Sequence, residues 1–192
     1  MERQSTGKLD RRRFLKRGLA GGALLIAAGT LPFAFRTTAI VRRPRRPLRL
    51  LSVEEYAVLD AIAARIVPGD EPGKPWPSAY DVDCAGKIDA LMATLHPEVG
   101  GDFRRLLRLM ESGFLATFIA GSPRPFTRAA PHDQDARLEA WRRSRFALLR
   151  SGYQAVKRLV HATYYSSPQI YALIGYPGPP VVPPVPPAGG PT

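Results

Sequence analysis

Three histidines, one cysteine and two closely spaced aspartates are the residues of this 192-residue chain best suited by type to metal or acid–base chemistry. Asp81-Val-Asp83-Cys84-Ala85-Gly86 opens like a calcium-binding EF-hand loop, in which alternate carboxylates meet the ion ahead of a turn-forming glycine. The pattern then fails, with Ala85 at a ligand position and Met92 where a bidentate glutamate closes such a site. Asp81 and Asp83 are read instead as caps of a following helix. His96, His132 and His161 have no second histidine at i+3 or i+4, the spacing that puts two ligands on one helix face. A single cysteine, Cys84, excludes an intrachain disulfide, a C-x-x-C-H haem attachment and cysteine-rich zinc or iron–sulfur sites. Gly18-Leu-Ala-Gly21-Gly22 lacks the G-x-G-x-x-G spacing of a dinucleotide site, and no P-loop or G-x-S-x-G elbow is present. No catalytic, cofactor-binding or metal-ligating residue is therefore assigned to this chain. An independent enzyme would have to assemble its site from scattered residues such as Asp70, His161 and Tyr164.

Charge points elsewhere. The formal net charge of +12 suggests nucleic acid at first sight. Residues 1–49, however, hold thirteen Lys/Arg against Glu2 and Asp10, a net of +11, while the remaining fifteen Lys/Arg meet fourteen Asp/Glu, a net of +1. A nearly neutral body gives no reason to expect phosphate binding, and nucleic acid is not a partner on this reading. Asp10-Arg11-Arg12-Arg13-Phe14-Leu15-Lys16 resembles the twin-arginine export signal S/T-R-R-x-F-L-K, departing from it only at Asp10. Arg11, Arg12, Phe14, Leu15 and Lys16 fill the matching places. The uncharged run Gly18–Phe35 contains five Gly/Pro residues and is marginal as a permanent membrane span. Residues 1–40 are read as a twin-arginine signal peptide or a retained anchor, with Thr37-Thr38-Ala39 the nearest small-residue cleavage site. The resemblance implies export of a folded protein to the periplasm or the outer face of the cytoplasmic membrane, by way of the twin-arginine translocon.

The elements behind these motifs are helical. Val41–Leu50 reads as a basic linker, since Pro44 and Pro47 prevent a helix. Ser52 offers an N-cap to a helix carrying Tyr56, Leu59, Ile62, Ala63 and Ile66 inward and ending at Pro68. A second helix is predicted over Asp83–Leu95 with Ile88, Leu91, Met92 and Leu95 inside. Asp102 is expected to cap a third that runs through Phe118, after a break at Pro97-Glu-Val-Gly-Gly. A fourth starts at Asp133 or Asp135 with Leu138, Trp141, Arg145, Leu148 and Leu149 inward, and Ser151-Gly152 is expected to break or kink it. A fifth carries Tyr153, Val156, Leu159, Val160 and Tyr164, and Ser167-Pro168 opens a last short helix ending at Gly175. The body, residues 51–176, is thus all-α, an irregular bundle of five or six helices with long Pro/Gly loops. Residues 177–192 are Pro-rich and expected to run extended.

Leu51-Ser-Val-Glu-Glu-Tyr, Ile66-Val-Pro68-Gly-Asp70, Thr163-Tyr164-Tyr165-Ser166-Ser167-Pro168 and Ile174-Gly175-Tyr176-Pro177-Gly178-Pro179-Pro180 together resemble the gluconate 2-dehydrogenase subunit 3 family. That resemblance implies a non-catalytic small subunit without a cofactor of its own. Its partner would be an FAD-dependent oxidoreductase of the glucose-methanol-choline type acting on a sugar, sugar acid or alcohol, with electrons passing onward to a c-type cytochrome as a further subunit or to a quinone. Tyr164, Tyr165, Pro168, Ile174, Gly175, Tyr176, Pro177 and Gly178 form the candidate partner interface, because Tyr and Pro offer contact area at low entropic cost. A membrane-anchored assembly factor that binds the flavoprotein transiently is the alternative.

Overall fold

The computed structural model describes residues 38–69, 76–112 and 124–179, and these contain six α-helices, a 3-10 turn and no strand. The helices are α1 (Val53–Ile66), α2 (Cys84–Met92), α3 (Pro97–Glu111), α4 (Pro131–Arg142), α5 (Ala147–Tyr165) and α6 (Pro168–Ile174); the 3-10 turn is Phe126–Arg128. The all-α class predicted from periodicity holds. Residues 1–37, with Arg11, Arg12, Phe14, Leu15 and Lys16, lie outside the described residues, as do Asp70 and most of the Pro-rich tail.

Helix α1 is the hub, packing against α2, α3, α4, α5 and the 3-10 turn. Its start is a complete capping box: Glu55 N–H donates to Ser52 Oγ at 3.2 Å and Ser52 N–H to Glu55 Oε2 at 3.0 Å. Tyr56, Leu59, Ile62 and Ala63 then recur on one face and are all buried. Ile88 and Met92 of α2, Phe103, Leu107 and Met110 of α3, Trp141 of α4, and Val156 and Val160 of α5 complete one continuous core.

Several predicted boundaries move, each for a physical reason. Helix α3 begins at Pro97, not after Asp102. Proline at the first position costs no hydrogen bond, and His96 Nδ1 caps by accepting from Glu98 N–H at 3.4 Å. Gly100, read as part of a break, lets the helix approach Leu50, whose methyl carbons would lie 3.1 and 3.2 Å from an added Cβ. Asp102 sits inside the helix and pairs with Arg105 at 2.7 Å. The part of this helix predicted beyond Ser112 falls outside the described residues.

Helix α2 stops at Met92, and Leu91 and Leu95 are exposed rather than inward. The expected caps of α2 are not caps. Asp83 occupies the N-cap position in the left-handed region (φ 57°) with no cap bond from its side chain, and Asp81 accepts instead from Ser78 N–H and Oγ–H. Helix α4 begins at Pro131, two residues before Asp133.

The break expected at Ser151-Gly152 occurs at residues 143–146, and α5 runs through Gly152 without interruption. Arg145 and Leu148 consequently face outward. Gly152 serves a helix crossing: a Cβ there would meet Leu106 Cδ1 at 2.6 Å and Trp141 Cζ3 at 3.5 Å.

Candidate functional site

The C-terminal end of α5 and all of α6 hold the residues singled out at Tyr164–Gly178. Ile170, fully buried, anchors α6 to the body. The α5–α6 corner is tied by Ser167, whose Oγ donates to Thr163 O at 2.8 Å and receives Lys87 Nζ at 2.6 Å. Tyr171 O–H bonds back to Ser166 O at 2.9 Å. Helix α6 ends at Gly175 in the left-handed conformation (φ 68°), with Tyr176 N–H returning to Tyr171 O at 2.9 Å. Gly178, also at positive φ (98°), then turns the chain against the Tyr171 ring.

The predicted interface residues divide in two. Tyr164 is a core residue, 3% exposed, its hydroxyl donating to Pro77 O at 2.7 Å; burial raises its pKa, with Tyr165 a smaller contributor. It cannot meet a partner without leaving that site. Tyr165 (51% exposed), Ile174 (45%) and Tyr176 (43%) stand at the surface, as do Pro168, Gly175 and Pro177, and Gly178 is half-buried. Leu173, which the sequence reading did not name, joins them at 42%. The aromatic rings are held edge-on, Tyr165 against Tyr164 at 5.3 Å between centroids and Tyr176 against Tyr171 at 5.1 Å. His161 lies 6.0 Å from Tyr165, and burial followed by nearby Lys157 lowers its pKa, so its imidazole is neutral at pH 7. The end of α5, helix α6 and the turn after it thus expose apolar and aromatic side chains around an anchored corner. Asp70, the third residue of the scattered enzyme site considered above, lies outside the described residues.

A second, polar site escaped the sequence reading. Arg104 and Arg108 both donate through Nε to the buried Glu55, to Oε2 at 2.8 Å and Oε1 at 2.7 Å. Burial works against the charge on Glu55, yet the Ser52 N–H and the two guanidinium groups outweigh it and hold the carboxyl below its ordinary pKa. Beside it Glu111 accepts from Thr127 N–H at 3.0 Å and Thr127 Oγ1–H at 2.7 Å. Glu55, Arg104, Arg108 and Glu111, with Thr38, Ser52, Glu54 and Val58, line a pocket of about 410 Å³. The Ser52 N-cap was visible in sequence; that Glu55 completes a capping box and also receives two arginines from α3 was not.

Residues 53–178, well over half of the chain, match the family model of gluconate 2-dehydrogenase subunit 3. The chain belongs to that family. No curated protein and no solved structure matches it. The subunit 3 match begins at the first residue of α1 and ends at Gly178, in the turn against Tyr171, so it takes in all six helices and the aromatic surface. The chain from Thr38 to Ser52 precedes it.

Proposed function

We propose that this chain is a non-catalytic small subunit that binds and stabilises an FAD-dependent, glucose-methanol-choline-type dehydrogenase and carries it through the twin-arginine pathway. The substrate class is a sugar, sugar acid or alcohol, with electrons passing onward to a c-type cytochrome or a quinone. The observation that carries this reading is the aromatic surface of Tyr165, Leu173, Ile174 and Tyr176, lying within the stretch that matches subunit 3. Exposed aromatic and aliphatic side chains on and around a short helix suit docking, because the helix that carries them is already held by Ile170 and the Tyr171–Ser166 bond. The arginine pair Arg11-Arg12 supplies the export address for both chains. Flavin chemistry belongs to the partner.

The test is co-expression of the full chain with a glucose-methanol-choline-type flavoprotein of the same organism, with Arg11 and Arg12 changed to lysine in a second strain. Flavoprotein activity is expected in the periplasmic fraction with the parent chain and in the cytoplasm with the double variant. Periplasmic flavoprotein in both strains refutes the carrier role.

A further inference from the structure

Residues 38–51 contain no helix, yet they lie along the body as a strap held at successive points. Ala39 N–H donates to Thr127 Oγ1 at 3.0 Å, and Thr127 is itself fixed by buried Glu111. Arg42 pairs with buried Asp60 at 3.7 Å, and the guanidinium groups of Arg42 and Arg45 lie 4.8 and 4.3 Å from the centre of the Tyr80 ring. Arg45 also donates to Asp81 O at 3.3 Å, and Arg46 Nε approaches the buried carboxylate of Asp83 at 3.4 Å. At the far end three consecutive backbone N–H groups, those of Arg49, Leu50 and Leu51, converge on Asp89. The arginines that resemble leader charge therefore serve the body, where they offset the carboxylates of Asp60, Asp81 and Asp83.

We propose that this strap is a lasting part of the mature subunit, and that the fold closes the peptide bond after Ala39 to signal peptidase. A peptidase takes its substrate as an extended strand free on both sides of the scissile bond. Here Ala39, on one side, gives its N–H to Thr127, and Arg42, on the other, is tied to Asp60 and stacked on Tyr80. Cutting requires lifting the first half of the strap and giving up those contacts together. The timing rests on the twin-arginine reading proposed above: a chain that crosses the membrane folded meets the peptidase with its strap already docked. The same bond on a chain exported unfolded would be open.

Two measurements on the full chain test this. The purified protein is first treated with elastase, which cuts after small residues such as Ala39, and with trypsin, which can cut at Arg42–Arg43, Arg45–Arg46 and Arg49–Leu50; products are read by mass. Cleavage at these bonds is expected to be about tenfold slower or more than in an Asp89→Ala variant, because cutting follows the population of the lifted strap. The near-isosteric pair Asp60→Asn with Thr127→Val serves the same purpose should Asp89→Ala not fold. Strap bonds cut as fast in the native protein as in the urea-unfolded chain overturn the proposal. The mass of the exported protein is then measured: an N-terminus at or before Thr38 is expected, and one at Ile40 overturns it. The protease comparison needs no export, so a protected strap in a chain that fails to leave the cytoplasm counts against the carrier function and not against the docked strap.

Discussion

The carboxylate of Asp89 accepts the backbone N–H of Leu51 at 2.8 Å, and the same buried side chain also takes the N–H groups of Leu50 at 3.0 Å and Arg49 at 2.7 Å. Three successive donors on one anion fix where the incoming chain meets α2, immediately before the Ser52 cap of α1. Asp89→Asn substitutes an amide donor for one of the accepting oxygens and removes the charge. A loss of about 3 kcal/mol is expected from urea unfolding, since hydrogen bonds to a charged group are worth roughly 1.5–3 kcal/mol each and are lost here in part.

Glu55 joins α1 to α3 through Arg104 and Arg108. Both arginine side chains are more than a third exposed, which moderates the cost of losing the pair. Glu55→Gln is expected to destabilise by about 2 kcal/mol at pH 7, measured by urea midpoint. The pH dependence carries a sign. Because the folded pKa of Glu55 is lowered, its stabilisation is present above the unfolded value and is lost as pH falls through the folded one. Asp60 acts the opposite way: burial raises its pKa against the pull of Arg42, so protonation relieves a cost as pH falls through the raised value. Unfolding titrated from pH 7 to pH 3 should show a smaller acid loss in Glu55→Gln than in the parent.

Two helical glycines should respond differently to the same substitution. A Cβ on Gly101 meets nothing within 4 Å, so Gly101→Ala is expected to stabilise by roughly 0.5–1 kcal/mol through helix propensity alone. A Cβ on Gly152 would lie 2.6 Å from Leu106 Cδ1, and a branched side chain there also reaches Trp141. Gly152→Val is expected to cost about 2 kcal/mol. Thermal unfolding of the two variants gives the comparison directly.

Asp83 combines a left-handed backbone with a buried carboxylate neither of whose oxygens has a hydrogen-bond partner. Its ion pair with Arg46 joins it to a side chain that is 74% exposed and so contributes little. Asparagine tolerates the left-handed region and carries no charge to bury. Asp83→Asn is therefore expected to raise stability by roughly 1 kcal/mol by urea midpoint, with tryptic cutting at Arg45–Arg46 little changed.

Tyr164 and Tyr165 are neighbours in sequence with different work to do. Tyr164→Ala removes a buried ring and leaves Pro77 O without its donor, and should destabilise the isolated subunit by about 3 kcal/mol. Tyr165→Ala with Tyr176→Ala should leave the unfolding midpoint unchanged within about 0.5 kcal/mol. The same pair is expected to weaken co-purification with the flavoprotein at least about tenfold, as truncating interface aromatics does. Equal recovery of flavoprotein with this double variant would move the interface elsewhere on the subunit.

Local rules decided much of this protein before any tertiary contact. Helical spacing of Tyr56, Leu59, Ile62 and Ala63, the Ser52 N-cap and the Ser167-Pro168 start were legible because each depends on residues within one or two turns. The same locality made the family resemblance readable from short motifs in Leu51–Tyr56 and Thr163–Pro180. What the residues could not declare alone was which of two equivalent roles each would take. Gly152 breaks a helix in isolation and permits a helix crossing when Leu106 and Trp141 lie beside it. The acceptor of Arg104 and Arg108 is Glu55, about fifty positions earlier, and only the packing of α1 on α3 brings it beneath them. Val41–Leu50 reads as a linker because nothing near it in sequence binds it; its partners Asp60, Tyr80, Asp83 and Asp89 come from α1, α2 and the turn between them. Side-chain chemistry named the donors and acceptors, and the packing of helices distant in sequence chose which of them meet.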